Sequence, residues 1–139
     1  MISRVLVPMD GSETSEQALR YAFEAHPDAE VTVLHVVGGP SSMMGGMTTL
    51  TLADDPEDAA RERAEGVLDR AREIATECGG EVETEVMVGS AARTIPDAAE
   101  EFDAVVIGSH SGGVVDRLFV GNIAKTVVRR SPVPVTVVR

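Results

Sequence analysis

The sequence predicts an α/β fold, in which strands and helices alternate along a chain of 139 residues. Short apolar runs, such as 4–8 and 31–37, alternate with longer segments whose apolar residues recur every three or four positions. The short runs are apolar at consecutive positions, which is typical of parallel strands covered on both faces. The length favours a single domain over residues 1–139.

Nine elements are expected, in the order β-α-β-α-β-α-β-α-β. The strands are predicted at 4–8, 31–37, 81–88, 103–107 and 133–138, and the helices at 13–26, 57–78, 91–101 and 122–130. The third strand alternates apolar and polar residues, as a strand near a sheet edge does. The fifth is an apolar strand whose start alone is blunted by Pro132 and Pro134, so we expect it to need a partner.

The first helix begins after Asp10-Gly11-Ser12, a triplet that ends the first strand. Either Ser12 or Thr14 serves as its N-cap, and Thr14 with Gln17 fits a capping box. Its apolar face is predicted from the three-four spacing to comprise Ala18, Leu19, Ala22, Ala25 and His26.

The second helix carries a stripe with the same spacing and ends at Gly79-Gly80. The stripe comprises Ala60, Ala64, Val67, Ala71, Ile74 and Cys78. Cys78 is therefore expected to be a buried, inert thiol. The third helix contains Pro96, where a kink is expected, and Arg129 and Arg130 end the last helix at its negative pole.

The segment 38–56 fits no helix or central strand, because it contains four glycines and two prolines. A loop of this length is expected to be flexible. Disorder is the preferred interpretation. The alternative is that Met43, Met44 and Met47 form an adaptable apolar cover over a ligand or partner.

Composition excludes several classes of protein. A single cysteine excludes a disulfide framework, and no apolar run is long enough to cross a bilayer. The N-terminus lacks a signal peptide, so we expect a cytoplasmic location. The histidines at 26, 35 and 110 have no metal-ligand spacing, and the chain contains no G-x-x-x-x-G-K-[ST], G-x-G-x-x-G or G-x-S-x-G motif.

The net charge is −11, and only one of the 12 basic residues is a lysine, Lys125. An acidic surface with few lysines suits a high-salt cytoplasm, and we hypothesise a halophilic source. A GC-rich genome that favours Arg and Ala is the alternative explanation. This charge argues against general binding to nucleic acid or to anionic membranes.

The segment 107–122, IGSHSGGVVDRLFVGN, is the most informative in the chain. It joins a predicted strand to a predicted helix start and is rich in glycine, an arrangement in which α/β proteins hold phosphate. Asp10, Val36 and Gly108 each lie at the end of a strand. Because ligands bind at the carboxyl ends of strands in such sheets, we expect these residues to gather in one crevice.

Five segments together resemble the universal stress protein (UspA-like) family: VLVPMDGSE, VLHVV, VMVGSA, VVIGSHS and SPVPVTVVR. The resemblance implies a three-layer α/β sandwich of nucleotide-binding type, with four helices and a five-stranded parallel sheet in the order 3-2-1-4-5. It also implies a cytoplasmic homodimer that pairs through its C-terminal strand, a role in stress resilience and, in many members, ATP bound with a divalent metal such as Mg²⁺.

ATP-binding members of that family carry G-x-x-G, nine residues, and then G followed by Ser or Thr. Gly108 and Gly121 fit this motif, whereas Ser111 replaces a glycine and Asn122 stands where a hydroxyl is expected. Asn122 retains a side chain suited to an N-cap. The backbone amides at 121–123 do not depend on side-chain identity.

The resemblance implies a nucleotide site but assigns no catalytic residue and no metal ligands. Asp10 would face the ribose or a phosphate-bound metal, Val36 would lie beside adenine, and residues from 111 to 123 would hold the phosphates. The implied site comprises Pro8, Asp10, Val36, Ile107, Gly108, Ser111, Gly121, Asn122 and Ile123.

Each of these residues also has a purely structural interpretation. In that interpretation Asp10 belongs only to a turn and helix cap, and Gly108 and Gly121 serve only close backbone packing. His35 is expected to be a satisfied core residue, His110 a solvated loop residue and Arg117 a surface cation.

Three functions remain open at this point. The first is an ATP-binding stress protein without efficient catalysis. The second is a nucleotide-free dimeric interaction module of the same fold. The third, ranked last, is a slow ATPase in which Asp10 orients metal and water.

Overall fold

One parallel sheet of five strands forms the centre of the molecule, in the order β3-β2-β1-β4-β5. A computed structural model of the chain describes residues 1–38, 56–109 and 121–139. The strands are β1 (Arg4–Pro8), β2 (Glu30–Val37), β3 (Val82–Val88), β4 (Ala104–Gly108) and β5 (Val135–Val138). The predicted strand order is confirmed, and β3 and β5 are its edges.

Four α-helices cover the sheet within the described residues. They are α1 (Glu13–Ala25), α2 (Pro56–Glu77), α3 (Ala91–Ala98) and α4 (Asn122–Arg130). The predicted fold class and element order are confirmed, and most boundaries agree within one residue. The predicted loop 38–56 lies largely outside the described residues, apart from its two end residues.

The core has two halves because successive side chains of a strand point to opposite faces. Val5 and Val7 of β1 face α1 and α2, where they join one cluster of buried residues. Leu6, between them, faces α3 and α4 in the second cluster. The sheet is therefore covered on both sides, as its runs of apolar residues predicted.

Helix α1 begins through a local turn at the end of β1. The Oδ1 atom of Asp10 accepts a hydrogen bond from the Ser12 amide at 2.9 Å, and the Ser12 hydroxyl accepts one from the Ser15 amide at 3.2 Å. Ser12 is thus the N-cap. The alternative capping box of Thr14 and Gln17 is wrong, because Thr14 already lies inside the helix.

The C-terminal ends of α1 and α2 correct two predictions of burial. Ala25 is exposed and His26 only half-buried. Cys78 is exposed rather than buried. It follows the last helical residue, where Gly79 adopts φ +79°, so the helical period no longer sets the direction of its side chain. The prediction that Gly79-Gly80 ends α2 is confirmed.

Pro96 lies in the interior of α3. It has no amide hydrogen, so it cannot complete the helical hydrogen bond to the residue four positions earlier. The α-helix ends two residues later, and a 3₁₀ turn (Ala99–Glu101) follows. The predicted helix 91–101 is therefore divided into an α-helical and a 3₁₀ segment.

The amino ends of β1 and β4 are joined by Asp103. Its Oδ2 atom accepts hydrogen bonds from the amides of Ser3 at 2.8 Å and Arg4 at 2.9 Å. These two backbone bonds lower the pKa of the Asp103 carboxyl group. The Arg4 guanidinium also lies over the Phe102 ring, 4.7 Å from its centroid.

Within the three described ranges, no helix has both the length and the apolar content needed to cross a membrane.

Candidate nucleotide-binding crevice

A crevice opens at the carboxyl ends of β1 and β4. The chain builds β2 and β3 on one side of β1 and then returns to place β4 on the other side. Helices diverge from the sheet at such a switch point and leave a gap. The cavity there has a volume of about 70 Å³, well below the ~300–1,000 Å³ of pockets that enclose a whole small ligand. A ligand of nucleotide size would therefore extend out of it.

The floor of the crevice is apolar. Strands β2 and β4 and helices α3 and α4 contribute side chains on the face that holds the second core cluster. The floor comprises Leu34, Val36, Ala91, Ile95, Ile107, Ile123 and Ala124. A flat apolar group suits this part of the crevice, because contact with it removes apolar surface from water.

The rim of the crevice is polar. Asp10, Ser12, Ser15 and Ser109 line it, together with Gly121. Ser12 and Gly121 are the N-caps of α1 and α4. Two helix N-termini therefore point their positive ends toward the crevice, and that arrangement favours a negatively charged group.

Hydrogen bonds within the chain fix the first of these N-termini. The Ser15 hydroxyl donates to the Ser12 carbonyl at 2.8 Å, and Ser15 is only 4% exposed. Asp10 is the one carboxylate among the described lining residues, and its bond to the Ser12 amide confirms that 10–12 forms a turn and helix cap. The same turn places the carboxylate at the rim.

His35 supports the end of β1 from below. Its ring is buried, and Nδ1 lies 2.9 Å from the Met9 carbonyl oxygen. A carbonyl only accepts, so Nδ1 carries the hydrogen and donates it. The Met9 amide in turn donates to the Leu34 carbonyl at 2.9 Å. The prediction that His35 is a satisfied core residue is confirmed.

Gly108 is required by close packing between β4 and the start of α1. A Cβ atom on Gly108 would lie 2.8 Å from the carbonyl carbon and oxygen of Thr14 and 3.0 Å from the Ser15 amide nitrogen. No side chain fits at that distance. Close packing alone therefore explains why residue 108 is a glycine. The same contact places the end of β4 beside the N-terminus of α1.

Seven of the nine predicted site residues line the crevice together. They are Pro8, Asp10, Val36, Ile107, Gly108, Gly121 and Ile123. Ser111 lies outside the described residues, as do His110 and Arg117. The structure thus brings together contributions from β1, β2, β4 and the start of α4, as the positions at strand ends predicted.

Asn122 does not line the crevice. It is exposed and is the first residue of α4, so its side chain does not cap this helix although it is of a type suited to an N-cap. Gly121 is the N-cap, and its amide donates to the Ser109 carbonyl. That amide is therefore committed to a bond within the chain and is not a free donor in this geometry.

Several lining residues were missed by the sequence analysis. They are Met9, Ser12, Ser15, Leu34, Ala91, Ile95, Ser109 and Ala124. Most of them lie within a few residues of the carboxyl end of a strand. Their position in the sequence could therefore have identified them as lining residues. Ala91 and Ile95 are four residues apart on α3, so they share one helical face.

No group of three His, Cys, Asp or Glu side chains that could hold a metal ion occurs in the ranges 1–38, 56–109 and 121–139. A metal held by protein ligands alone is thus not part of the described site. The rim carries one carboxylate, Asp10. Mg²⁺ is commonly bound by one or two protein carboxylates together with phosphate oxygens, and one carboxylate is compatible with that arrangement.

Comparison with known proteins decides the family. A family model described as the universal stress protein family matches residues 1–139. The chain belongs to the universal stress protein family. The resemblance seen in its sequence segments is thereby confirmed over the full length.

Individual family members agree with this assignment. A universal stress protein of Mycolicibacterium smegmatis is 30% identical over 142 residues, which cover 96% of this chain but 47% of that protein. This chain thus spans about half the length of that relative. Universal stress protein MJ0577 of Methanocaldococcus jannaschii has a solved structure with a TM-score of 0.77 and 27% identity, covering 99% of this chain and 96% of that one.

A further solved structure is the universal stress protein from Archaeoglobus fulgidus in complex with dAMP. It matches with a TM-score of 0.70 and 24% identity, covering 100% of this chain and 98% of that one. At this identity the likeness extends to the fold alone.

Proposed function

We propose that this chain binds ATP in the crevice and acts as a regulatory stress protein without efficient catalysis. The observation that carries the proposal is the division of the crevice into an apolar floor and a polar rim. A nucleotide has the same division between its base and its phosphates. The fold is compatible with such a ligand, since a structure of the same fold from Archaeoglobus fulgidus is a complex with dAMP.

The base would occupy the small cavity between Val36, Ile95 and Ile107. The phosphates would extend along the rim, where the N-termini of α1 and α4 converge. The Ser12 and Ser109 residues would bring hydroxyl groups close to them. Mg²⁺ bound to the phosphates would neutralise part of their charge, and Asp10 would contribute one oxygen ligand to it.

Isothermal titration calorimetry with ATP and Mg²⁺ in molar salt tests this proposal. The informative variant is Ala91→Leu, which adds side-chain volume to the crevice at a half-buried position. We expect it to weaken ATP binding at least about tenfold, the factor that ~1.4 kcal/mol of lost contact produces.

Ala92→Leu is the matched control, because Ala92 is the next residue of α3, is equally half-buried and does not line the crevice. It should bind ATP as the parent chain does. Equal weakening in both variants would contradict the assignment of the crevice, and a flat titration of the parent chain would remove ATP binding itself.

The second candidate is a nucleotide-free interaction module. Two observations favour it: the Gly121 amide is already bonded to the Ser109 carbonyl, and Asn122 lies outside the crevice. The flat titration described above is the outcome that would support it. A slow ATPase is a third and weaker candidate. It requires the parent chain to release more phosphate than an Asp10→Ala variant.

We also propose that the chain forms a cytoplasmic homodimer through β5. The amides of Val105 and Ser109 donate to the carbonyls of Pro134 and Val138. Because backbone groups alternate in direction along a strand, Val135 and Val137 direct theirs toward the open edge. An edge of this kind is a template for pairing with a second strand.

Val137→Pro removes a backbone N–H group that faces the open edge of β5. Val137→Ala keeps that N–H group, and both variants lose the contacts of the valine side chain. Light scattering at micromolar concentration should find a dimer for the parent chain and Val137→Ala, and a monomer for Val137→Pro. A dimer that persists in Val137→Pro would place the interface elsewhere.

A further inference from the structure

A second cavity lies on the α1 and α2 side of the sheet, away from the floor of the crevice. It is a groove of about 260 Å³ between the first turn of α1 and the middle of α2. Met9, Gly11 and Glu16 line it from one side, and Arg63, Gly66 and Arg70 line it from α2. The nucleotide proposal makes no use of this groove.

The groove is locally positive in a chain of net charge −11. Arg63 and Arg70 are seven residues apart on α2, which places both on one helical face. Arg70 is held in position by its Nε atom, which donates to Oε1 of Glu16 at 3.1 Å. Arg63 has no ion pair within the described part of the chain. The lining therefore carries two arginines against one glutamate, and Glu73, which is not part of the lining, lies 3.8 Å from Nη1 of Arg70.

Gly66 keeps the groove open between the two arginines. It occupies the interior of a 22-residue helix, where glycine is less stable than alanine. Packing does not require it, because a Cβ atom built on Gly66 meets nothing within 4 Å. Gly66 thus weakens the helix without relieving a steric contact. Its effect on the groove is to leave the backbone uncovered at the point where a ligand would lie.

We propose that this groove binds a phosphate group, held by the guanidinium groups of Arg63 and Arg70. A phosphate group carries close to two negative charges at neutral pH, which matches two cations on one face. Guanidinium groups also present paired donors that suit phosphate oxygens. Glu16 binds Nε of Arg70 and Glu73 lies 3.8 Å from its Nη1 atom, which leaves Nη2 for the ligand.

Titration with inorganic phosphate at constant ionic strength tests this site. Amide ¹H–¹⁵N shifts would be followed, with sodium chloride as the reference salt. We expect saturable shifts at Gly11 and Gly66. Arg63→Gln should weaken binding by roughly tenfold, because it removes one charged partner of the anion. Arg61→Gln is the matched control, since Arg61 lies on the same helix outside the groove. It should leave binding unchanged.

Gly66→Leu distinguishes binding of phosphate in the groove from a non-specific attraction of the anion to positive charge. The added side chain meets no neighbour at Cβ and should not lower the melting temperature, but it would fill the groove and abolish the saturable shifts. Shifts that do not saturate, equal loss in Arg61→Gln and Arg63→Gln, or undiminished binding in Gly66→Leu would each overturn the proposal. The calorimetric ATP titration is independent of these outcomes, because its variants lie at the crevice.

Discussion

Single glycines of this chain serve opposite purposes, and the distances to neighbouring atoms distinguish them. Gly108 lies against the backbone of α1, whereas Gly66 faces open space. The first glycine permits an approach that no other residue allows. The second makes its helix less stable than alanine would, although no neighbouring atom excludes a side chain there. Sequence inspection treats the two alike, and only the folded geometry separates them.

This difference gives a paired prediction on stability. Gly108→Ala should lower the free energy of unfolding by about 1–3 kcal/mol, since the new methyl group forces the rigid backbone of Thr14 to move. Gly66→Ala should raise it by about 0.5–1 kcal/mol, because alanine is the better helix former. Urea unfolding of both variants measures these changes. A neutral Gly108→Ala would show that β4 and α1 separate without cost.

The residue scale also shows why the lining of the crevice was predicted only in part. The residues predicted at strand ends, such as Asp10 and Val36, line the crevice because a parallel sheet brings these ends together. Asn122 does not cap α4, because the helix begins at Asn122 itself, one residue earlier than a cap at that position requires. Ser15 was missed because a serine near a helix start is usually explained by local hydrogen bonding.

At the scale of whole elements, hydrophobic periodicity was a sufficient guide to the sheet and its helices. β1 and α4 have the predicted boundaries, because a proline or a capping glycine marks their ends. Prediction was poorer for the side chain at the very end of an element, even where such a signal follows. Cys78 is the example, since the helical period places it on the buried stripe while the helix itself has already ended.

The joint between β1 and β4 gives a prediction on pH. The folded chain lowers the pKa of Asp103 because the amides of Ser3 and Arg4 donate to its carboxylate. Its stabilising contribution is therefore fully present above the unfolded-state pKa of about 3.9. It is lost as the pH falls through the lower folded-state value.

The difference in unfolding free energy between the parent chain and Asp103→Asn should accordingly be largest above about pH 4 and shrink in stronger acid. Denaturant unfolding at a series of pH values measures it. Asp97→Asn, which removes an exposed carboxylate without a backbone amide donor, controls for the loss of one negative charge. A difference that is constant with pH would mean that the contribution of Asp103 to stability does not depend on the charge of its carboxylate.

For the molecule as a whole, the dominant electrostatic fact is the net charge of −11. The ion pairs among the described residues involve Arg20, Arg61, Arg70 and Arg72, and all have partly or well exposed side chains. Exposed pairs of this kind contribute at most about 1 kcal/mol each. Ion pairs therefore do not offset the repulsion among the remaining carboxylates. Only screening by ions in the solvent reduces that repulsion.

We predict from this imbalance that the protein is more stable in molar salt than in dilute buffer. The Debye length falls from about 10 Å at 0.1 M to about 3 Å at 1 M, so salt removes repulsion between carboxylates more than it weakens the few close ion pairs. The melting temperature should rise with potassium chloride. The double variant Glu83→Gln with Glu85→Gln removes two exposed charges from β3, and it should be more stable in dilute buffer and less dependent on salt. A parent chain equally stable in dilute and molar salt would contradict the hypothesis of a halophilic source and leave a GC-rich genome as the explanation for its arginines.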